Sequence, residues 1–404
     1  MASSARRGPA GRTALSTNTV LAFLVLGLGG AWIGPALPWL AHHWGVRPAE
    51  CGILFALLFG GACGTVGLSG LLLDRVGRKP VLVAGLLLEA IGIGGLGLAP
   101  SLGVAMAWTL CLGLGAGCLD VTLNVVVADL YPLQRGAALN LMNVAFGVGA
   151  LASPLLVGAA LSLFASPQGV GLVLSSLALL SALIYAGLAF PARGAAAAPA
   201  PRTGLGVLRE GYVITLALML FLYVGLEAGF GGWATTFAIQ GAQMDAGAAA
   251  LVTAVFWIAL TGGRIGAGLL SRRVPGSALV LGGALLGAAG VGTVAGFSTL
   301  PAALFLGAVL AGAGFAPIFP TALGLAAERY PATVGTVSSA AVLGGALGGA
   351  LLPYSQGLLL GQGGVPLAAG FMTATALGMI GLQLALGRSF SPHPATPPAS
   401  PCPG

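Results

Sequence analysis

Three of the nine acidic residues in this 404-residue chain, Glu89, Asp120 and Glu227, lie deep in apolar runs, where an ionised group is costly and is kept for a reason. Asp120 is the most telling. The apolar segment from Leu102 to Asp129 would be about 42 Å long as a helix, enough to cross a hydrocarbon core of about 30 Å. Asp120 then sits about 14 Å from the end marked by Asp129, and Asn124, at i+4, shares its face. A carboxylate at that depth can bind a polar solute or take up and release a proton; a structural acid satisfied by Asn124 is the plainer alternative. Glu227 lies about 21 Å into its own run from Val213 and offers the same chemistry. Asn140, Asn143 and Gln356 are amides that could bind hydroxyls or simply bond helix to helix. Trp233 could stack on a sugar ring while its N–H donates, or serve in packing or an interfacial belt. Arg264, about 12 Å inside its run from Arg272, is expected to form a latch or to snorkel. Glu89 receives no role.

The elements that position these residues follow from composition. Hydrophobic residues make up 57% of the chain and charged ones only 6%, with a mean hydropathy of +1.01; a soluble surface would need about a quarter charged residues. Windows of about 20 residues give twelve helices, over 19–41, 49–73, 80–99, 102–130, 137–164 and 168–191, then 211–240, 246–271, 276–297, 301–328, 335–360 and 365–387. This is an all-α membrane protein of twelve transmembrane helices in two six-helix bundles. The expected parts are a cytoplasmic segment 1–18, a first bundle 19–192, a Pro/Ala/Gly-rich cytoplasmic linker 193–209, a second bundle 210–388 and a disordered tail 389–404. The net charge of +7 does not indicate nucleic acid, because Lys and Arg gather in loops of one side. That bias places both termini in the cytoplasm of a bacterial inner membrane. The five cysteines lack metal-ligand spacing, and there is no Walker-type phosphate loop. No metal, cofactor or ATP-driven chemistry is expected.

The halves repeat. Gly27, Gly70 and Arg75 recur as Gly225, Gly268 and Arg273, an offset of 198; Asp129, Tyr131, Gly136 and Pro154 recur as Glu328, Tyr330, Gly335 and Pro353, an offset of 199. The apolar-run charges do not follow. Asp120 aligns with Phe319, Asn124 with Leu323, Glu227 with Gly29 and Glu89 with Gly287. A duplicated scaffold therefore carries separately placed polar groups.

Gly70-Leu-Leu-Leu-Asp74-Arg75-Val-Gly77-Arg78-Lys79 resembles the loop signature of the major facilitator superfamily, between its second and third helices. The resemblance implies alternating access around a central cavity lined by the first and seventh helices, among others. It also implies a cytoplasmic gate, here Gly70, Asp74, Arg75, Gly77 and Arg78 with Asp129, Arg135, Arg264, Arg273 and Glu328. Such a latch is made when the pocket faces outward and broken when it faces inward. GLGAGCLDVTLN and the segment Tyr223 to Trp233 are similar to the fucose–proton symporter family and its glucose-transporting relatives. In them the helix-four carboxylate, here Asp120, handles protons or substrate. The first helix departs from that family, with no acid between Leu26 and Leu37.

The expectation is a secondary transporter and not an enzyme. It would move a small polar solute, most simply a sugar, with Asp120 and Glu227 coupling protons, and Asn124, Asn140, Asn143, Trp233 and Gln356 contacting the solute. Sodium stays open as the coupling ion, as does import against export. Efflux of amphipathic compounds is the alternative. The expected partners are the solute, the ion and the bilayer, with the protein a monomer.

Overall fold

The computed structural model describes residues 9–190 and 205–389, apart from a few side chains inside helices. The helices are α1 (Pro9–Trp44), α2 (Ile53–Val76), α3 (Arg78–Gly97), α4 (Leu102–Leu130), α5 (Arg135–Phe164), α6 (Gln168–Gly187), α7 (Gly211–Ala242), α8 (Ala246–Leu270), α9 (Gly276–Phe297), α10 (Pro301–Phe315), α11 (Ile318–Arg329) and α12 (Val334–Ser389). Helix is the form that satisfies every backbone group without water, and these sequences are apolar on every face, as membrane spans are. Local signals set the ends. Ser101 caps α4 by accepting from the Val104 amide, and Asp245 caps α8 by accepting from the Ala248 amide at 2.9 Å.

Twelve passes result, with two departures from the expected spans. The tenth pass, predicted as one helix over 301–328, is broken into α10 and α11 around Ala316 and Pro317. Proline lacks the amide that would continue the ladder, and its ring crowds the preceding turn. The eleventh and twelfth passes run together as α12, whose 56 residues bend at Gly363 and Gly364. Gly364 has φ 66° and ψ −163°, a conformation side chains disfavour, so the chain reverses there without a loop.

The ends also differ from expectation. Of the segment 1–18, residues 1–8 lie outside the described residues and the rest does not stay outside the bundle: α1 starts at Pro9, and Leu15 is fully buried in a cluster with Leu130. Asn18 is buried as well and donates to the Ser181 carbonyl at 3.1 Å. Within the expected linker, Leu205–Arg209 forms a 3₁₀ turn. The rest of that linker from 193 to 204, and the tail from 390, lie outside the described residues.

Helices α1–α6 form one bundle and α7–α12 the other. In the first, α1 packs on α5, and α4 lies between α2 and α3. In the second, α7 packs on the limb of α12 before the bend, and α10 lies between α8 and α9. The bundles meet through α1 on α7, α5 on α8, and α2 on α12.

Candidate transport site

The two ends of the molecule differ. At one end, here the basic end, α1 and α7 begin and the loops carry most of the arginines. At the far end the bundles are sealed together. A Cβ added to Gly34 of α1 would lie 2.5 Å from the Gly231 carbonyl oxygen and 3.0 Å from the Gly232 Cα of α7, so the two backbones touch. Phe55 of α2 packs on Gly232 and lies 5.6 Å from the Trp233 ring. Gly158 of α5 contacts Gly247 of α8. The expectation that Trp233 offers a face to a solute is corrected here. Its side chain is fully buried in this seal and its Nε1 donates to the Pro353 carbonyl at 2.9 Å. An indole wide enough to stack on a ring is equally suited to closing the gap between three helices, and here it does the latter.

Asp120 lies below the seal and is exposed. Its position on α4 explains how a mid-helix acid meets solvent. Gly113 and Gly117 contact Leu58 and Thr65 of α2 on one side, while Leu123 and Val127 join the cluster of α1 residues Phe23 and Leu26 on another. Leu112 and Gly115 pack on α3 at the back. Asp120 occupies the strip between the α1 and α2 sides, which faces the other bundle. Asn124 does not satisfy the carboxylate; its Nδ2 donates 2.6 Å to the Asp120 backbone carbonyl. No cation pairs with Asp120 among the described residues. Asn143 is exposed on the strip of α5 between Phe146, which meets α1, and Gly147, which meets Thr261 of α8. Its Nδ2 donates to Leu139 at 2.9 Å, leaving its oxygen free to accept. The Asn140 side chain lies outside the described residues.

The second bundle treats its acid differently. Glu227 Oε1 lies 3.3 Å from Arg264 Nη2, with side-chain exposures of 16% and 35%, so the pair is hidden more than halfway. Arg264 therefore belongs to the central region and not to the gate, which corrects its expected place. A partner one helix away satisfies the guanidinium better than a long reach to the membrane surface. Tyr223, one turn before Glu227, is buried against Phe315 and Phe319 with ring centroids 6.3 and 6.0 Å away. Gln356 is buried against Gly229, and neither its amide nitrogen nor its oxygen has a partner among the described residues. Trp257 Nε1 and Thr236 Oγ1 are likewise buried and unpaired. Neither residue stands out in the sequence, since an indole or a hydroxyl in an apolar run reads as packing.

At the basic end no ion pair described here crosses between the bundles. Arg78 Nη1 pairs with Asp129 Oδ2 at 2.7 Å, joining α3 to α4 within the first bundle. Gly77, with φ 88°, makes the tight turn from α2 into α3. Arg75, Arg273 and Glu328 are exposed, and the side chains at Gly70, Asp74 and Arg135 lie outside the described residues. The latch expected between halves is thus not formed by the described residues in this conformation, in which the far end is closed.

Comparison with known proteins fits this geometry. A family model described as Major Facilitator Superfamily matches residues 19–353. The chain belongs to the major facilitator superfamily. The MFS-type transporter YfkL of Bacillus subtilis is 26% identical over 353 residues, 85% of this chain and 88% of its own. The glucose/mannose transporter GlcP of the same organism is 23% identical over 392 residues, 92% of this chain and 94% of its own. A crystal structure of the nucleoside transporter NupG superposes with a TM-score of 0.77 at 14% identity, over 94% of this chain and all of that one. As a facilitator, this multi-pass membrane protein is a transporter of small molecules and not an enzyme.

Proposed function

We propose that this facilitator takes up a small hydroxylated solute, a hexose or close relative, together with a proton that binds Asp120. The observation that carries the reading is an uncompensated carboxylate in mid-membrane, reached by solvent below a closed seal. The positive-inside rule puts the basic end in the cytoplasm, which makes the conformation inward-facing, and likeness to bacterial relatives supports a bacterial inner membrane. With the far end open, Asp120 takes a proton from outside. The neutral acid then tolerates the drier occluded state that an uncompensated charge would oppose. Opening to the cytoplasm rehydrates the site, and the proton and solute leave.

Asn124 and Asn143 offer amide groups to hydroxyls from the first bundle, and Asn140 is included with them on sequence grounds. Phe319, half-buried, supplies an apolar face from the second. Gln356 contacts the solute only once the seal parts, which would give its two unpaired polar atoms a partner. Glu227 acts through Arg264, holding a fixed charge pair beside the cavity. The basic-end gate residues, led by the loop from Gly70 to Arg78, join the bundles in the opposite conformation. On this reading the protein works as a monomer. Likeness to a glucose/mannose transporter over nearly the whole chain supports the solute class.

A second reading, proton-driven export of amphipathic compounds, is favoured by the partly exposed ring of Phe319, which packs on Tyr223. Flux in proteoliposomes separates the two. Labelled hexose should accumulate when the outside is made acidic, and a protonophore should abolish the accumulation. Export of a lipophilic dye with no hexose uptake would select the second reading. Uptake driven by a sodium gradient at constant pH would replace the proton.

A further inference from the structure

One acid remains unused. Glu89 of α3 lies about 16 Å from the helix start at Arg78, is fully buried, and neither carboxyl oxygen has a hydrogen-bond partner among the described residues. Its carboxyl is aimed at α1. A Cβ added to Gly29 would sit 2.7 Å from Glu89 Oε1, so the acid occupies the space that this glycine leaves open. The groups around it are neutral. Gly115 of α4 lies behind its backbone amide, Ile93 is one turn further along α3, and Ser175 of α6 donates to the Ala90 carbonyl. Among the described residues no Lys, Arg, His, Asp or Glu from α1, α2, α4 or α6 pairs with the carboxyl.

The repeat sharpens the point. Gly29 is the counterpart of Glu227, at an offset of 198. Both bundles therefore bring a carboxyl to the same level of their first helix, from α7 itself in one and from α3 in the other. The second bundle neutralises its acid with Arg264, whose counterpart in the first is Val66. An ionised Glu89 would be stranded in this packing without water or a counter-charge.

We propose that Glu89 is a second proton-binding site, separate from Asp120, whose occupancy sets how closely α1 packs on α3. The chemistry is the addition of one proton to a carboxylate, with no other bond changed. With the proton bound, the neutral carboxyl fits under Gly29. Five residues further along the same helix, Gly34 makes the far-end seal with α7. Loss of the proton drives the carboxylate towards water and α1 away from α3, which loosens that seal. The proposal rests on the alternating-access part of the function above, but neither on the solute nor on Asp120.

Infrared difference spectroscopy of the full-length protein in nanodiscs, titrated with pH, tests it. The wild type should show the carbonyl stretch of a buried protonated carboxyl that bleaches as pH rises. Glu89→Gln should remove that band, and Asp120→Asn should leave it. Gly34→Leu, which forces the seal apart, should let water reach the acid and weaken its proton affinity by about tenfold, a midpoint about one pH unit lower. An unchanged band in Glu89→Gln overturns the assignment. A band that never bleaches overturns the exchange of the proton, and an unmoved midpoint in Gly34→Leu overturns the link to α1. Should Glu89→Gln not fold, Gly29→Ala serves, because its methyl must displace the carboxyl and shift the band; an unshifted band is equally fatal. Hexose flux is absent from every readout, so failure here is distinct from failure of the proposed transport reaction.

Discussion

The two bundles are built from one repeated scaffold, yet they handle buried charge in opposite ways. The second pairs Glu227 with Arg264, while the first leaves Asp120 exposed and Glu89 enclosed, both without a cation among the described residues. A paired charge resists change, because breaking the pair strands a partner. An unpaired acid can gain or lose a proton with no other bond at stake. The comparison teaches that helix positions follow the repeat, whereas the charges do not: the unpaired acids sit in one bundle and the ion pair in the other.

The largest effect on stability should come from breaking the pair. Arg264→Ala leaves Glu227 half-hidden and alone, and partial exposure reduces the usual penalty for a buried pair to about 2–3 kcal/mol. Thermal unfolding in detergent should show a clear fall in Tm, and the double variant Glu227→Gln, Arg264→Met should recover most of it. If the single variant unfolds like wild type, the contrast between the bundles loses its energetic basis. A smaller effect is expected from Arg78→Ala. That pair is at the membrane surface with side-chain exposures of 24% and 31%, so its loss should cost about 1 kcal/mol or less and should shrink further in high salt.

The smallest change concerns Tyr330, whose hydroxyl donates to Glu210 Oε2 at 2.5 Å and joins the end of α11 to the start of α7. Burial, with Glu210 beside it, holds the phenol above its ordinary value. Because the folded-state value is the raised one, the contact's contribution is complete below the unfolded value near 10 and is lost as pH rises through the folded one. Tyr330→Phe should therefore lower stability by less than about 1 kcal/mol at neutral pH. Its gap from wild type should close at strongly alkaline pH.

Much of this arrangement was legible in the sequence. Asp120 stood out because an acid inside an apolar run has few bland explanations, and α4 has the predicted bounds, Leu102 to Leu130. The break between α10 and α11 was written in Pro317 and Pro320, but hydropathy windows average over prolines. The partner of Arg264 was not legible. Glu227 is 37 residues away on another helix, and distance from the basic end alone suggested a gate. Trp233 was ambiguous in principle, since stacking on a solute and sealing a helix junction need the same side chain. Glu89 stood out as an acid in an apolar run but received no role until Gly29 was seen opposite it, because a single sequence does not reveal which glycine leaves space for which acid.

The most direct test of the account is Asp120→Asn in proteoliposomes, measured two ways with labelled hexose. The variant should lose accumulation driven by an acidic exterior, while equilibrium exchange of the same hexose persists, because the cavity remains and only the proton site is gone. Accumulation equal to wild type at the same gradient would contradict the account.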